Sequence, residues 1–463
     1  MENYDLIVIG TGPGGYHAAL RAAQLGLKVL AIEKGEVGGV CLNVGCIPTK
    51  ALLHAAQVLK ESEGASAFGL ALEKKALDLE KLGAWRDAVV KKLTGGVEFL
   101  FKSSGVKLKR GTAKLVGPNE VAVGDSRFSA KHILLATGSR PAELPGFPFD
   151  EQRVVSSTGA LKLENGVPKR FLAIGAGAIG LEFAAIYRAF GAEVTVVEFM
   201  DQILPGSDSE VAGMLARALK KQGVKIKTGT KATGFEEKKD GLHVTLEAVS
   251  GGKTETLVVD KILVAVGRKP NSESLGLSAA GIQPDEKGFI PVNDRMQTSH
   301  PSIYAIGDLT KPPLLAHKAM REGIVAAEVI AGHKAAFDQM IPAVVYTFPE
   351  FASVGLSEEA ARAQGIEIKV GKFPFTANGR ALTLQETSGL VKIISDAESD
   401  VVLGVHIVGP GASEMISEAT LALEMGALTT DIELSIHPHP TLSESLMEAA
   451  ANVHKAAIHI VNK

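Results

Sequence analysis

Short apolar runs alternate with longer amphipathic stretches along much of this chain, a rhythm that predicts parallel strands joined by helices. Asp5-Leu-Ile-Val-Ile9 reads as a buried strand, followed by a helical stretch to Leu25 and a second strand, Lys28-Val-Leu-Ala-Ile-Glu33. The same succession returns downstream, where Arg170-Phe-Leu-Ala-Ile174 leads into a helix and then the strand Glu193-Val-Thr-Val-Val-Glu198. Two further strand patterns match in kind. Lys131-His-Ile-Leu-Leu-Ala-Thr-Gly138 and Lys261-Ile-Leu-Val-Ala-Val-Gly267 both end in glycine, and Arg140-Pro141 or Arg268-Lys-Pro270 follows. Ser302-Ile-Tyr-Ala-Ile306 predicts one more strand, ending at Gly307-Asp308. From about Ile341 the texture changes. Alternating runs at Gly389–Ile394 and Val401–Ile407 predict antiparallel strands, with helical segments at Ala412–Met425 and Thr441–Val453.

Glycines punctuate the two repeated units at equivalent places. Gly10-Thr-Gly12-Pro-Gly14-Gly15 and Gly175-Ala-Gly177-Ala178-Ile179-Gly180 each lie between a strand and a helix, and Glu33 and Glu198 each stand 23 positions past the first glycine. In a dinucleotide-binding unit the first glycine permits a tight turn and the second lets backbone approach a pyrophosphate. The third lets helix and strand pack closely, and the terminal acid accepts ribose hydroxyls. Two ordinary α/β turns are the plainer alternative, and their repetition at one spacing argues against it. Glu198-Phe-Met-Asp201 offers carboxylates where a 2′-phosphate would need cations, which favours NAD over NADP. Asp308 has two readings: a ligand-facing carboxylate at the end of a parallel strand, or a turn cap.

Bulk properties narrow the class. The chain has 463 residues, 46% hydrophobic and 22% charged, enough for several domains. A net charge of −3 gives no basic field for nucleic acid. No apolar stretch reaches the roughly 20 residues of a membrane helix. The N-terminus shows no basic, cleavable leader, so a cytoplasmic protein is expected.

The only two cysteines are Cys41 and Cys46, in Gly38-Gly-Val-Cys-Leu-Asn-Val-Gly-Cys-Ile-Pro-Thr-Lys50. A zinc site would need more thiolates or histidines at ligand spacing, so no metal is expected. A structural disulfide is disfavoured in a reducing compartment and would close a very short loop. A redox pair fits better, with two unrelated thiols as the alternative. Pro48 predicts a helix start that would place Cys46 at a helix N-terminus, where the dipole stabilises a thiolate. Farther on, Thr441-Leu-Ser-Glu444 matches a capping box, so Glu444 could simply satisfy a backbone donor. His437 reads as structural, and His54, His317, His406 and His454 have no partner visible in sequence.

These segments together resemble the flavin-linked, class I pyridine nucleotide-disulfide oxidoreductases over nearly the whole length. The cysteine segment and His437-Pro-His-Pro-Thr-Leu-Ser-Glu444 are the specific matches, supported by both glycine turns and Ala305-Ile-Gly-Asp308. The resemblance implies an α/β fold of two Rossmann-like FAD- and NAD-binding domains plus a C-terminal α+β dimerisation domain. The divisions would be 1–147 for FAD, 148–271 for NAD, 272–341 completing the FAD site, and 342–463 for dimerisation. It implies catalysis by Cys41 as interchange thiol, Cys46 as flavin-facing thiol, His439 as acid/base, Glu444 as its orienting carboxylate, and a Lys50–Glu182 pair near the flavin.

The cofactor positions it implies run from the first turn (Gly10, Gly12, Gly14, Gly15) through Glu33 and Lys34 to Gly39, Val40, Cys41 and Lys50. Ala113, Thr137 and Gly138 follow, then Asp308, Ala316 and His317, the last two acting through a helix N-terminus. For NAD the positions are Gly175, Gly177, Ala178, Ile179, Gly180, Glu198, Ala265, Gly267 and Arg268. The implied reaction is oxidation of dihydrolipoamide to lipoamide with reduction of NAD⁺. The implied partners are a second copy, sharing active sites in a homodimer, and the lipoyl and peripheral subunit-binding domains of the acyltransferase of 2-oxo acid dehydrogenase complexes, or the glycine cleavage system. Alternatives within the family are reductases of the glutathione or mercuric type. The former should carry basic residues where Glu198 stands, and the latter a C-terminal redox pair that Ile458-His-Ile-Val-Asn-Lys463 lacks. A non-catalytic flavoprotein subunit should show a broken catalytic set, whereas every expected residue is present.

Overall fold

Both glycine turns sit between a parallel strand and a helix, as the hydrophobic pattern places them. The computed structural model describes residues 2–72, 77–164, 166–252 and 254–462. It divides into one unit of Met1–Leu52, Asp78–Ala142 and Gly267–Asp338, and a second of Leu53–Leu77, Glu143–Val266 and Gln339–Lys463.

In the first unit, strand Glu2–Ile9 pairs in parallel with Val29–Glu33 on one side and Ser126–Leu135 on the other. Lys107–Arg110 extends the sheet in parallel beyond Val29–Glu33, and Ile303–Ala305 joins Ser126–Leu135 in parallel. Because successive side chains point to opposite faces and both faces are covered, the strand is apolar and buried from Leu6 to Ile9. Ile7 and Ile9 enter one core with Leu30 and Ile133, while Leu6 and Val8 enter the other with Ala18, Ala19 and Ala22 of helix Pro13–Gln24. Pro13 opens that helix, where a missing N–H costs nothing.

The second unit contains an all-parallel sheet in the order Lys225–Lys227, Glu193–Val197, Arg170–Ile174, Lys261–Val264, Val154–Val155. Helix Ala178–Ala189 follows its glycine turn. A three-stranded antiparallel sheet spans Thr230–Lys238, Gly241–Ala248 and Thr254–Val259. The antiparallel pair predicted in the last third is Leu390–Asp396 against Val402–Gly409, within a five-stranded sheet. Helices Ala412–Glu424 and Glu444–Val453 share its core. The second begins three residues later than expected from Thr441, because the Thr441 hydroxyl donates to the Pro438 carbonyl and holds a turn there. Among the described residues no helix is long and apolar enough to cross a membrane.

A buried charge cluster ties this unit together. The Lys392 ammonium, 1% exposed, meets Asp208 at 2.9 Å, Glu210 at 3.0 Å and Glu358 at 2.8 Å. Burial alone would lower the pKa of Lys392, but its carboxylate partners outweigh that and raise it. Removing one partner from such a cluster leaves a buried charge uncompensated. Lys392→Ala is therefore expected to lose about 3–5 kcal/mol of stability in denaturant unfolding.

Candidate active site

Cys41 lies in the short helix Gly39–Val44, and Cys46 is the first residue of helix Cys46–Gly64. Pro48 is thus the third helical residue, still within the turn whose N–H groups have no helical partner. The two half-buried side chains are hydrogen-bonded to each other. That bond, followed by burial, holds the Cys41 thiol well above its ordinary range, although the positive charge of Lys50 pulls the other way. Cys46 stands at the first residue of its helix, where the dipole favours a thiolate. Tyr16 lies within electrostatic reach of Cys41; burial first, then that sulfur, raises its hydroxyl.

Arg268, expected among the residues serving the NAD turn, belongs to the first unit on strand Arg268–Pro270, which pairs with Ser139–Pro141. Its guanidinium donates to the Ser139 hydroxyl at 2.6 Å and carbonyl at 2.8 Å and lies 3.6 Å from Asp308. Burial lowers the Arg268 pKa, while the charges of Asp308 and Cys46 oppose that shift, so the guanidinium is within reach of both. Asp308 also accepts the Ser139 hydroxyl. Its turn is pinned from below, since the Gly307 N–H donates to Glu322 at 2.6 Å, and Glu322 forms a buried pair with Lys318 at 2.7 Å. The sequence reading missed Ser139, Lys318 and Glu322; the one available signal was two opposite charges four apart on an otherwise apolar helix face.

The two nucleotide turns share their closest backbone approaches. A Cβ on Gly10 would strike the Ala136 carbonyl, and one on Gly175 the Ala265 carbonyl. Gly15 and Gly180 lie so close to the Gly10 and Gly175 carbonyls that neither tolerates a side chain. Gly177 faces open space, and Gly12 meets only Gly39, at the 4.0 Å limit of contact. Both acids are buried. Glu33 accepts the Thr11 N–H and hydroxyl at 2.8 Å and the Gly35 N–H at 2.9 Å. Glu198 accepts the Ala176 N–H at 2.7 Å and the Met200 N–H at 2.9 Å. Each carboxylate thus braces its own turn, and retains lone pairs for ribose hydroxyls.

Helices Pro13–Gln24, Ala178–Ala189 and Ala316–Ile330 all begin without a side-chain cap, leaving N–H donors for anions and carbonyls. This donor set fits FAD at the first turn and NAD at the second. Ala316 and His317 occupy the first turn of the third helix. Thr137 and Gly138 are held by Asn271, whose amide donates to the Thr137 carbonyl and whose N–H donates to that of Gly138. Ala113 is buried at the start of strand Ala113–Gly117, whereas Lys34 and Val40 are exposed. Among the described residues no group of three His, Cys, Asp or Glu could hold a metal ion.

In the second unit His439 Nδ1 lies 2.8 Å from Glu444 Oε1, while the Thr441 N–H donates to Glu444 Oε2 at 2.7 Å. The capping and orienting readings therefore coexist, one on each carboxylate oxygen. Burial raises Glu444, but the Thr441 N–H and His439 outweigh it and leave the acid below its ordinary pKa. An ionised Glu444 requires the proton on His439 Nδ1, which presents the Nε2 lone pair on a side chain 79% exposed. Glu182 is buried in helix Ala178–Ala189 and accepts the Tyr346 N–H at 3.1 Å.

Residues 4–323 match the model of the pyridine nucleotide-disulphide oxidoreductase family, and residues 341–450 match that family's dimerisation domain. The chain belongs to the pyridine nucleotide-disulphide oxidoreductase family. It is 62% identical over 463 residues to the dihydrolipoyl dehydrogenase of Thermus scotoductus, covering 100% of both chains. It is 48% identical to the human mitochondrial dihydrolipoyl dehydrogenase, covering 96% of this chain and 89% of that one. The solved structure of the Mycobacterium tuberculosis protein LpdA superposes with a TM-score of 0.89 at 27% identity, covering 97% and 99%. As an oxidoreductase of this family the protein uses FAD and NAD, and the close pair Cys41–Cys46 fits its redox-active disulfide. Glu198 braces the second turn and keeps lone pairs for ribose hydroxyls, so Glu198→Ala is expected to raise the KM for NAD about 10-fold or more. The estimate rests on about 1.5–3 kcal/mol for a hydrogen bond to a charged group, and initial rates at varied NAD check it.

Proposed function

We propose that the chain oxidises dihydrolipoamide to lipoamide and reduces NAD⁺, as a dihydrolipoyl dehydrogenase. The observation that carries this reading is the Cys41–Cys46 contact at a helix N-terminus, in the same unit as the first nucleotide turn. In the oxidised enzyme these cysteines form a disulfide. His439 Nε2 takes a proton from one substrate thiol, and the resulting thiolate attacks Cys41 Sγ. The Cys41–Cys46 bond breaks, leaving Cys46 as a thiolate stabilised by its helix and by Arg268. The second substrate thiol then attacks the substrate sulfur of the mixed disulfide and closes the lipoamide disulfide; Cys41 departs and takes up that thiol's proton, while His439 keeps the first. The two electrons now reside on the cysteine pair. A bound FAD would supply the electron acceptor next to Cys46, and NAD⁺ the final hydride acceptor. Lys50 would lie beside the flavin and pair with Glu182, while Asp308, anchored by Ser139 and Arg268, would meet the FAD.

The matched dimerisation domain supports a homodimer. Within it, His439 and Glu444 would serve the cysteines of the other copy. The reading divides the chain at 147, 271 and 341. It places the protein in the cytoplasm, reoxidising lipoyl domains of 2-oxo acid dehydrogenase complexes or the glycine cleavage system, with docking through a peripheral subunit-binding domain. The test is to supply FAD-loaded protein with dihydrolipoamide and NAD⁺ and follow NADH. NADH formation is expected; none, together with turnover of NADPH and glutathione disulfide or Hg(II), would overturn the reading.

A further inference from the structure

The segment that carries His439 is almost wholly exposed: Leu434, Ser435, Ile436, Pro438 and His439 all face solvent in this chain. His437 alone turns inward, its side chain 6% exposed against 79% for His439 two residues on. His437 Nε2 lies 2.8 Å from Glu418 Oε1, and its Nδ1 lies 2.9 Å from the Ser435 carbonyl oxygen. Each ring nitrogen thus faces an oxygen, and the ring is fixed from both sides. Glu418 sits on helix Ala412–Glu424, which is packed into the core of the antiparallel sheet. On the far side of His439, Thr441 is tied by its N–H to Glu444 and by its carbonyl to the buried Asn378 amide at 3.0 Å. The base therefore hangs between two anchors, and only one of them is its own orienting acid.

We propose that Glu418 and His437 are positioning residues for proton transfer: their hydrogen bond fixes the backbone on the N-terminal side of His439 as Glu444 fixes its ring. The proposal rests on His439 being the acid/base, and a misplaced base loses rate steeply with distance. Glu418 is 41% exposed on its helix, so replacing it spares the core. In Glu418→Ala, reduction of the FAD-loaded dimer by dihydrolipoamide, followed by stopped-flow absorbance, is expected to slow about 10–100-fold. Reduction by NADH should stay within about twofold, because it uses no proton from His439. Glu418→Gln retains an oxygen that accepts the Nε2–H, so it should recover most of the dithiol rate, which a merely bulky role for Glu418 does not require of it. His439→Gln is run beside them. A slowed His439→Gln with an unimpaired Glu418→Ala would overturn this proposal alone, as would equal loss in both half-reactions or no rescue by glutamine. An unimpaired His439→Gln would remove the acid/base reading and this proposal with it.

Discussion

Cys41→Ser is expected to lower dihydrolipoamide-dependent NADH formation by about 10³-fold or more, because Cys46 alone leaves no disulfide for the substrate dithiol to reduce. Cys41 and Cys46 are the only cysteines in the chain. FAD content should be unchanged, since the first nucleotide turn is held by Glu33, Thr11 and the close approach of Gly10 and Gly15 to their neighbours, none of which involves Cys41. Steady-state rates and the flavin-to-protein absorbance ratio check both halves. Loss of FAD from the serine variant would instead make the pair a structural element of the flavin site.

His439→Gln is expected to slow the dithiol half-reaction by about 10²–10⁴-fold, the usual range for removing a positioned acid or base. Hydride exchange between NADH and the flavin should be comparatively intact. Glu444 sets the pH range of this effect. Its folded pKa lies below the ordinary carboxylate value. The support it gives is complete above that ordinary value and is lost only as pH falls through the lowered one. The orienting acid is therefore ionised throughout the range in which an imidazole works as a base. A fall in dithiol rate on the acid side of neutrality is therefore not a loss of the Glu444 charge. Rapid-mixing rates across pH for wild type and the variant separate the two groups.

The parts of the fold legible in the sequence are those with a strict local rule. Strand Arg170–Ile174 is buried along nearly its whole length and appears at its expected bounds. The glycine turns follow from steric collisions that only glycine avoids, and Glu33 and Glu198 from their distance beyond the turn. Boundaries were less legible where side-chain bonds redirect the chain: Thr441 and Pro438 delay helix Glu444–Val453. The site was legible as residue types, not as partnerships. Nothing local in sequence joins Ser139 to Arg268, 129 positions away, or Lys318 to the turn before Asp308. Likewise His437 reads as a bland neighbour until its two acceptors are seen. Arg268 was expected from its nearness to the Lys261–Val264 strand, but its own strand pairs with Ser139–Pro141 in the first unit, a pairing that no local signal announces.

The central claim is that electrons enter from a dithiol at Cys41 and Cys46. It is tested most directly by alkylating the FAD-loaded protein before and after anaerobic mixing with dihydrolipoamide, without NAD⁺, and mapping the modified sites by mass spectrometry. The expected result is no alkylation of the oxidised protein, then alkylation at Cys41 and Cys46 with release of one lipoamide per chain. Flavin reduction with both cysteines still resistant to alkylation would contradict the account.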